Sequence, residues 1–262
     1  MGGTIVRNAL LRRTVLSASA VSLALFATAC GGSGKADAKP SASASAAAPA
    51  APAAKGKTDA ELAGMILVQA DLPTHLFKSV SEKDANAGQG ATSDVPECLP
   101  VLRAMAATPP IGSPTGAVRT AVAAKPKPVA KDASEEDKQL AAQNALGATA
   151  TVVSLYSYDG DGAQKAFRSL VEAGRPCEKG FVPTVAGEQL GNTTVRPFTE
   201  VKVGDESLTY TLAMWDDEVG RLSTELVVVR KTNTLAVFYA QSMSGTAEHP
   251  KEVVEAQAKK LG

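Results

Sequence analysis

The pattern of apolar and polar residues divides the chain at residue 57. The N-terminal part has one apolar run followed by a segment without large apolar residues, and the remainder has the periodicity of helices and strands. After residue 57, segments with apolar residues at helical spacing are interspersed with segments of alternating or β-branched residues. Helices are predicted over residues 58–72, 99–107, 161–173 and 250–261, and a charged loop with a helical turn or two over 134–146. Strands are predicted over residues 76–80, 117–124, 149–158, 193–201, 208–214, 222–230 and 235–243.

The ends of the predicted elements carry recognisable signals. Thr58 followed by Glu61 forms a capping box at the start of the first helix, which Pro73 is expected to end. Asp159 is expected to cap the 161–173 helix, and Gly174 and Pro176 to end it.

Three consecutive segments after residue 207 predict an antiparallel meander. Apolar residues alternate with Thr209 and Thr211 in its first strand, so the threonines are expected to face solvent. With helices before and after the strands, the sequence predicts an α+β fold. We expect a twisted antiparallel sheet of about five to six strands with packed helices, forming one domain over residues 58–262.

The N-terminal part predicts export and lipid attachment. Basic residues precede an apolar run from Val15 to Ala27 that is too short to span a bilayer comfortably. Small residues then surround Cys30, which resembles a bacterial lipobox, in which a signal peptide is removed and the cysteine receives a diacylglyceryl group. Residues 1–29 are therefore predicted to be a signal, and the outer face of the cytoplasmic membrane is the predicted location. An ordinary cleaved signal, an uncleaved anchor and twin-arginine export through Arg12-Arg13 stay open.

The segment from residue 30 to 57 is predicted to be a disordered tether. It consists almost entirely of Gly, Ser, Ala, Pro and Lys, so it cannot bury enough apolar surface to offset the entropy of ordering. A flexible chain of this length spans roughly 30 Å.

The charge of the chain argues against nucleic-acid binding, and its cysteines favour a disulfide over a zinc site. The chain has 27 basic and 27 acidic residues, and without the three signal arginines the balance is 24 to 27, which offers no basic footprint for nucleic acid. Two cysteines remain after Cys30. In an exported protein, Cys98 and Cys177 are more consistent with a disulfide than with a zinc site, which needs further ligands at short spacing.

No motif points to catalysis, a cofactor or a metal. The two histidines, His75 and His249, lie beside prolines without a nucleophile motif and are expected to be solvated loop residues. Helix capping accounts for Asp159-Gly160-Asp161-Gly162 without calcium, and Asp216-Asp217-Glu218 is typical of a hairpin turn. Aromatic residues on strands could line a ligand cleft, namely Tyr156, Tyr158, Tyr210, Trp215 and Tyr239, and of these Tyr210, Trp215 and Tyr239 are the candidate ligand-binding residues.

The order of elements resembles the extracellular sensor domain of PknH-type serine/threonine kinases. The resemblance rests on a first helix ending in Ala70-Asp71-Leu72-Pro73, a cysteine about 25 residues later, a helix leading into a second cysteine, and a closing meander and helix. The family's domain usually has four cysteines and a tryptophan shortly before the cysteine that ends the middle helix. After Cys30, this chain has only Cys98 and Cys177, and Gly174-Arg175-Pro176 stands near the tryptophan's place. The resemblance implies a twisted antiparallel sheet with helices and a cleft for an unidentified ligand.

Together these features predict a non-enzymatic, lipid-anchored binding or sensing module outside the cytoplasmic membrane. A small molecule, a glycan or another envelope protein would be its ligand. The alternatives are a cell-envelope hydrolase with a dispersed site and a scaffold for another envelope protein.

Overall fold

The computed structural model describes residues 54–126, 128–197, 201–216, 220–243 and 245–262, all within one compact unit that runs from Ala50 to Gly262. The predicted signal, Cys30 and the tether up to residue 53 lie outside the described residues.

The core of the fold is an antiparallel sheet, and the predicted α+β class is confirmed. The sheet has seven strands instead of five to six, in the spatial order β1-β3-β4-β10-β9-β8-β7. A second sheet of three short strands has the order β2-β5-β6. The strands are β1 (His75–Lys78), β2 (Thr92–Ser93), β3 (Gly116–Ala124), β4 (Ala150–Ser157), β5 (Pro183–Val185), β6 (Glu188–Gln189), β7 (Thr193–Pro197), β8 (Glu206–Asp216), β9 (Gly220–Lys231) and β10 (Thr234–Gln241).

Helices lie between the strands and at both ends of the described chain. They are α1 (Asp59–Ala63), α2 (Glu82–Ala85), α3 (Leu99–Met105), α4 (Glu135–Leu146), α5 (Gly162–Cys177) and α6 (Lys251–Leu261), with a single 3-10 turn at Pro96–Cys98 before α3. None of the described helices combines the length and apolar character that a membrane span requires.

Both faces of the large sheet carry a hydrophobic core. On the α5 face, Leu226, Val228 and Val237 pack with residues of α3 and α5. On the α6 face, Val227, Val229 and Phe238 pack with Leu62 of α1 and with Val253 and Val254 of α6. Successive residues of a strand point to opposite faces, so the run of valines in β9 serves both cores.

This second covered face corrects the expectation for the first strand of the meander. Thr209 lies on the α6 face and is only 3% exposed, because that face is packed and not solvated. Leu208, Tyr210 and Leu212 are buried on the α5 face as predicted.

Three helix predictions need correction. The capping box of Thr58 and Glu61 is present, but α1 ends at Ala63, long before Pro73. Residues 135–146 form a full helix, with Ser134 capping Asp137 N at 3.1 Å.

The helix α5 continues through Gly174 and Pro176 to Cys177. Gly174 serves close packing: a Cβ atom there would lie 2.4 Å from the Tyr210 hydroxyl oxygen.

Residues 54–57, which the sequence assigned to the tether, are described and contact the folded domain. Gly160 N donates to Ala54 O at 2.8 Å, and Gly56 N donates to Asp159 Oδ1 at 2.7 Å. Asp159 therefore holds the incoming chain, whereas the residue that precedes α5 is Asp161, whose side chain makes no capping hydrogen bond.

Candidate functional site

The predicted disulfide is confirmed. Cys98 and Cys177 are bonded, their Cα atoms lie 5.7 Å apart, and both residues are fully buried. The bond joins the turn before α3 to the last residue of α5, so it attaches the loosely structured segment that follows β1 to the longest helix of the α5 face.

The three predicted aromatic candidates do not form one cleft. Tyr210 and Tyr239 lie on the α5 face in the same row, on either side of Leu226. Trp215 occupies the opposite parity of β8, on the other face, and is 61% exposed. Tyr210 donates its hydroxyl hydrogen to Leu170 O at 3.0 Å, which fastens it to α5.

A pocket of about 270 Å³ lies elsewhere on the α5 face, between the segment 85–90, α3, the turn 108–112 and β3. Its charged lining consists of two basic residues, Arg103 and Arg119, and its polar lining includes Asn86, Gln89 and Thr108. No Asp or Glu lines it. We call this the arginine pocket.

Arg119 is held in one orientation by the fold. It lies on β3 opposite Ser154, on the same face as Tyr156. Its Nε donates to Ala107 O at 2.5 Å, and its Cζ lies 5.4 Å from the centre of the Tyr156 ring. This stacking is a cation–π contact that leaves the terminal guanidinium nitrogens for other partners.

The turn after α3 forms the adjacent wall. Thr108 N donates to Arg103 O at 2.9 Å and Ala107 N donates to Ala104 O at 3.2 Å, the two bonds of a Schellman motif. Ala107 has a φ of 51°, the left-handed region that glycine usually occupies at this position. An L-residue there costs about 1–2 kcal/mol, so the bond from Arg119 to Ala107 O helps to hold a strained turn.

Tyr156 forms the buried floor beneath Arg119. The residue is fully buried, and its hydroxyl has no partner of hydrogen-bond geometry among the described residues. Burial raises the pKa of Tyr156, and the nearby positive charge of Arg119 opposes that rise in part. The tyrosine is therefore neutral at physiological pH and supports the guanidinium through its ring.

The charges of the two arginines are not neutralised within the described chain. Neither Arg103 nor Arg119 forms an ion pair with a described carboxylate, whereas Arg230 pairs with both Glu206 and Asp205. Arg230 lines a larger hollow of about 520 Å³ near Ala54 and Asp161. Because its charge is already balanced there, that hollow offers less attraction to a charged ligand.

A second polar cluster lies on the α6 face. Thr211 Oγ1 donates to Glu225 Oε1 at 2.8 Å, and His249 Nδ1 lies 3.7 Å from Glu225 Oε2. The carboxylate stands between the hydroxyl and the imidazole, so His249 is not placed to take a proton from Thr211 as a catalytic triad requires.

Both histidines are less solvated than predicted, and of the two only His249 lies in a loop. His75 lies in β1 and is 8% exposed, and the side chain of His249 is 23% exposed. Within the described ranges, no group of His, Cys, Asp or Glu side chains is arranged to hold a metal ion.

Sequence reasoning missed the arginine pocket, although one signal was present. Arg119 occupies an inward position in the alternation of β3, between Ala117 and Ala121. A charged residue at an inward strand position needs a partner or a function. Arg103 carries no comparable signal, since an arginine near the end of a helix is common.

Comparisons with known proteins find a structural similarity without a match in sequence. No protein-family model and no curated protein matches the chain. Among solved structures, the chain is similar to the crystal structure of the extracellular domain of PknH from Mycobacterium tuberculosis, at 12% identity and a TM-score of 0.44. The match covers 79% of this chain and 96% of that one.

Proposed function

We propose that this protein is a lipid-anchored binding protein of the extracytoplasmic surface, with a sensor-like role and no catalytic activity of its own. The observation that carries this proposal is the arginine pocket, a preformed cavity whose two arginines lack counter-charges in the described chain. Such a site stabilises a bound ligand without needing to react with it.

The chemistry of the lining favours binding over catalysis. A guanidinium stays protonated at any physiological pH, so it donates hydrogen bonds but does not exchange protons with a substrate. The hydroxyl of Thr108 donates to Arg103 O at 2.9 Å and is therefore engaged in the turn. These groups recognise and orient a ligand.

The anchor in this proposal is Cys30. A diacylglyceryl group on its thiol contributes about 0.8 kcal/mol per buried methylene, and two chains suffice for stable attachment. The Gly/Ser/Ala/Pro-rich segment that follows would let the domain reach a ligand roughly 30 Å from the membrane.

Replacement of Cys30 tests the anchor. We expect Cys30→Ser to incorporate no radioactive palmitate and to appear in the soluble fraction or as an uncleaved precursor, because serine cannot form the thioether. Ser33→Ala, three residues further on, should label and fractionate like the parent. Labelling of Cys30→Ser at the parent's level would show that the lipid is attached elsewhere or that the motif is not used.

Binding is tested by native mass spectrometry of the full mature protein extracted from its own membranes in mild detergent. We expect a non-covalent mass on the parent that is lost from Arg103→Gln and kept by Arg168→Gln, an exposed arginine on α5. Turnover of an ester, peptide or glycan panel by the parent and not by pocket variants would instead establish an enzyme.

A further inference from the structure

We propose that the arginine pocket binds a phosphoryl group, either as inorganic phosphate or as the phosphomonoester of a small molecule. This inference rests on the proposed binding function and specifies the chemistry of the ligand. Two arginines without carboxylate partners supply a charge of about +2, and a phosphate carries about −1.5 to −2 at neutral pH. A monocarboxylate would neutralise only one of them.

The hydrogen-bonding groups of the lining are suited to an acceptor-rich ligand. Arg119 uses Nε to bind Ala107 O, so its terminal nitrogens remain as donors in a fixed orientation. Gln89 Nε2 donates to Asn86 Oδ1 at 2.7 Å. The Asn86 side-chain oxygen is therefore used as an acceptor, and the Asn86 amide hydrogens remain as donors. Charge-assisted bonds from such donors to phosphate oxygens are among the strongest that proteins form.

The acidic residues that adjoin the lining in sequence are not themselves among the residues that line the pocket. Glu82 and Asp84 precede the lining on α2, and the Asp84 carboxylate accepts from Ser81 Oγ at 2.6 Å at the start of that helix. No described lining residue carries a negative charge, so an anionic ligand would supply the counter-charge of the two arginines.

The dimensions of the cavity limit the ligand further. At about 270 Å³ the pocket is slightly smaller than typical small-molecule sites, which measure about 300–1,000 Å³. It accommodates one phosphoryl group and a short remainder. Gly88 lets the segment 85–90 pack closely against the end of α3, since a Cβ atom at this position would lie 2.5 Å from the Ala106 Cβ atom.

The experiment has to distinguish a role of Arg119 in ligand binding from a role in the stability of the fold. Arg119 supports the strained Ala107 turn, so Arg119→Gln can lose stability as well as binding. Arg103 provides the independent variant, because no described group bonds to or pairs with its side chain. Arg168 on α5 is exposed and lies outside the lining, so Arg168→Gln is the matched control for the loss of one positive charge.

The experiment is isothermal titration of the full mature protein in detergent with inorganic phosphate and, separately, with glycerol 3-phosphate. We expect one site that binds at least one of these probes, and an affinity reduced by about tenfold or more in Arg103→Gln, the loss typical of charge-assisted hydrogen bonds. Arg103→Lys should recover part of it, and Arg168→Gln should match the parent. Preference for glycerol 3-phosphate would indicate an organic phosphomonoester, and preference for phosphate the free anion.

Two results would overturn the inference. One is the absence of heat with both probes while a native ligand co-purifies and depends on Arg103; the protein would then be a binding protein for another class of ligand. The other is phosphate binding that Arg103→Gln and Arg119→Gln leave unchanged, which would place the phosphoryl site outside the arginine pocket.

Discussion

At the scale of single residues, Asp71 links two parts of the chain that are far apart in sequence. Its Oδ2 accepts from Lys260 Nζ at 2.6 Å and from Val68 N at 2.8 Å. The hydrogen bond with Lys260, followed by the one with Val68, lowers the pKa of Asp71 below its ordinary value of 3.8. The turn after α1 is thereby tied to the last residues of α6.

Replacement of Asp71 by Asn should reveal this contribution through its pH dependence. A depressed pKa in the folded state stabilises the protein above pH 3.8, and the contribution is lost as the pH falls through the lower folded value. Because both side chains are partly exposed, we expect a cost of about 0.5–1 kcal/mol at neutral pH that disappears in strong acid. Urea unfolding across this pH range measures it.

Asp132→Asn is the control for that measurement, since Asp132 is exposed. It should change the free energy of unfolding little at any pH. A deficit in Asp71→Asn that stays constant down to strong acid would mean that the charge is not responsible.

At the scale of elements, the disulfide supports the part of the fold with the least core. Between Ser81 and Val95, only Gly88 and Ala91 are buried, although this segment includes α2, β2 and one wall of the arginine pocket. The bond from Cys98 to Cys177 fixes the end of this segment to α5 across 79 residues of chain.

Removal of both cysteines, as Cys98→Ala with Cys177→Ala, should lower the free energy of unfolding by about 2–4 kcal/mol. The loss arises mainly because the unfolded chain regains the freedom that the crosslink removed. Proteolysis should then begin between residues 74 and 114, while the strands β8, β9 and β10 stay protected.

Reduction of the parent protein is the companion measurement, because it breaks the crosslink without removing the sulfur atoms from the core. It should reproduce most of the loss. First cutting within β8–β10 would contradict the assignment of the weakest region.

At the scale of the whole molecule, burial perturbs every tyrosine. The chain has four, and burial raises the pKa of Tyr156, Tyr158, Tyr210 and Tyr239 alike. All four lie on strands of the large sheet or directly after one, and they belong to or pack against the hydrophobic core of the α5 face, so their ionisation reports on the integrity of that core.

We therefore expect the four tyrosines of the folded protein to ionise together, at a higher pH than in the unfolded chain. The pKa of an unfolded tyrosine is about 10, and that of each folded tyrosine is higher. Their contribution to the free energy of unfolding is therefore complete below about pH 10 and is lost as the pH rises towards the folded pKa. We expect tyrosinate absorbance and the loss of far-ultraviolet circular dichroism to follow one shared transition.

The protein unfolded in guanidinium chloride is the reference and should titrate at about pH 10. A tyrosine that ionises there while the circular dichroism of the native protein is unchanged would show that it is solvated.

The sequence by itself determined the local features of this protein. Alternation and β-branched residues located the seven strands of the large sheet, because the period and composition of a strand are properties of its own residues, whereas the short strands β2, β5 and β6 were not predicted. The capping box at Thr58 and the pairing of Cys98 with Cys177 were likewise readable, one from spacing and the other from the scarcity of alternatives. The lipid anchor at Cys30 rests on sequence alone and stays a prediction.

The tertiary structure decided what depends on residues distant in sequence. Thr209 is buried because α1 and α6 cover its face of the sheet, and α5 runs past Gly174 because Tyr210 needs the space that a side chain would take. The arginine pocket is formed by separate segments between residue 85 and Arg119. The large sheet and the disulfide bring these segments together. Propensity and spacing cannot reveal such a site, because its charge and shape arise only where the separate walls meet.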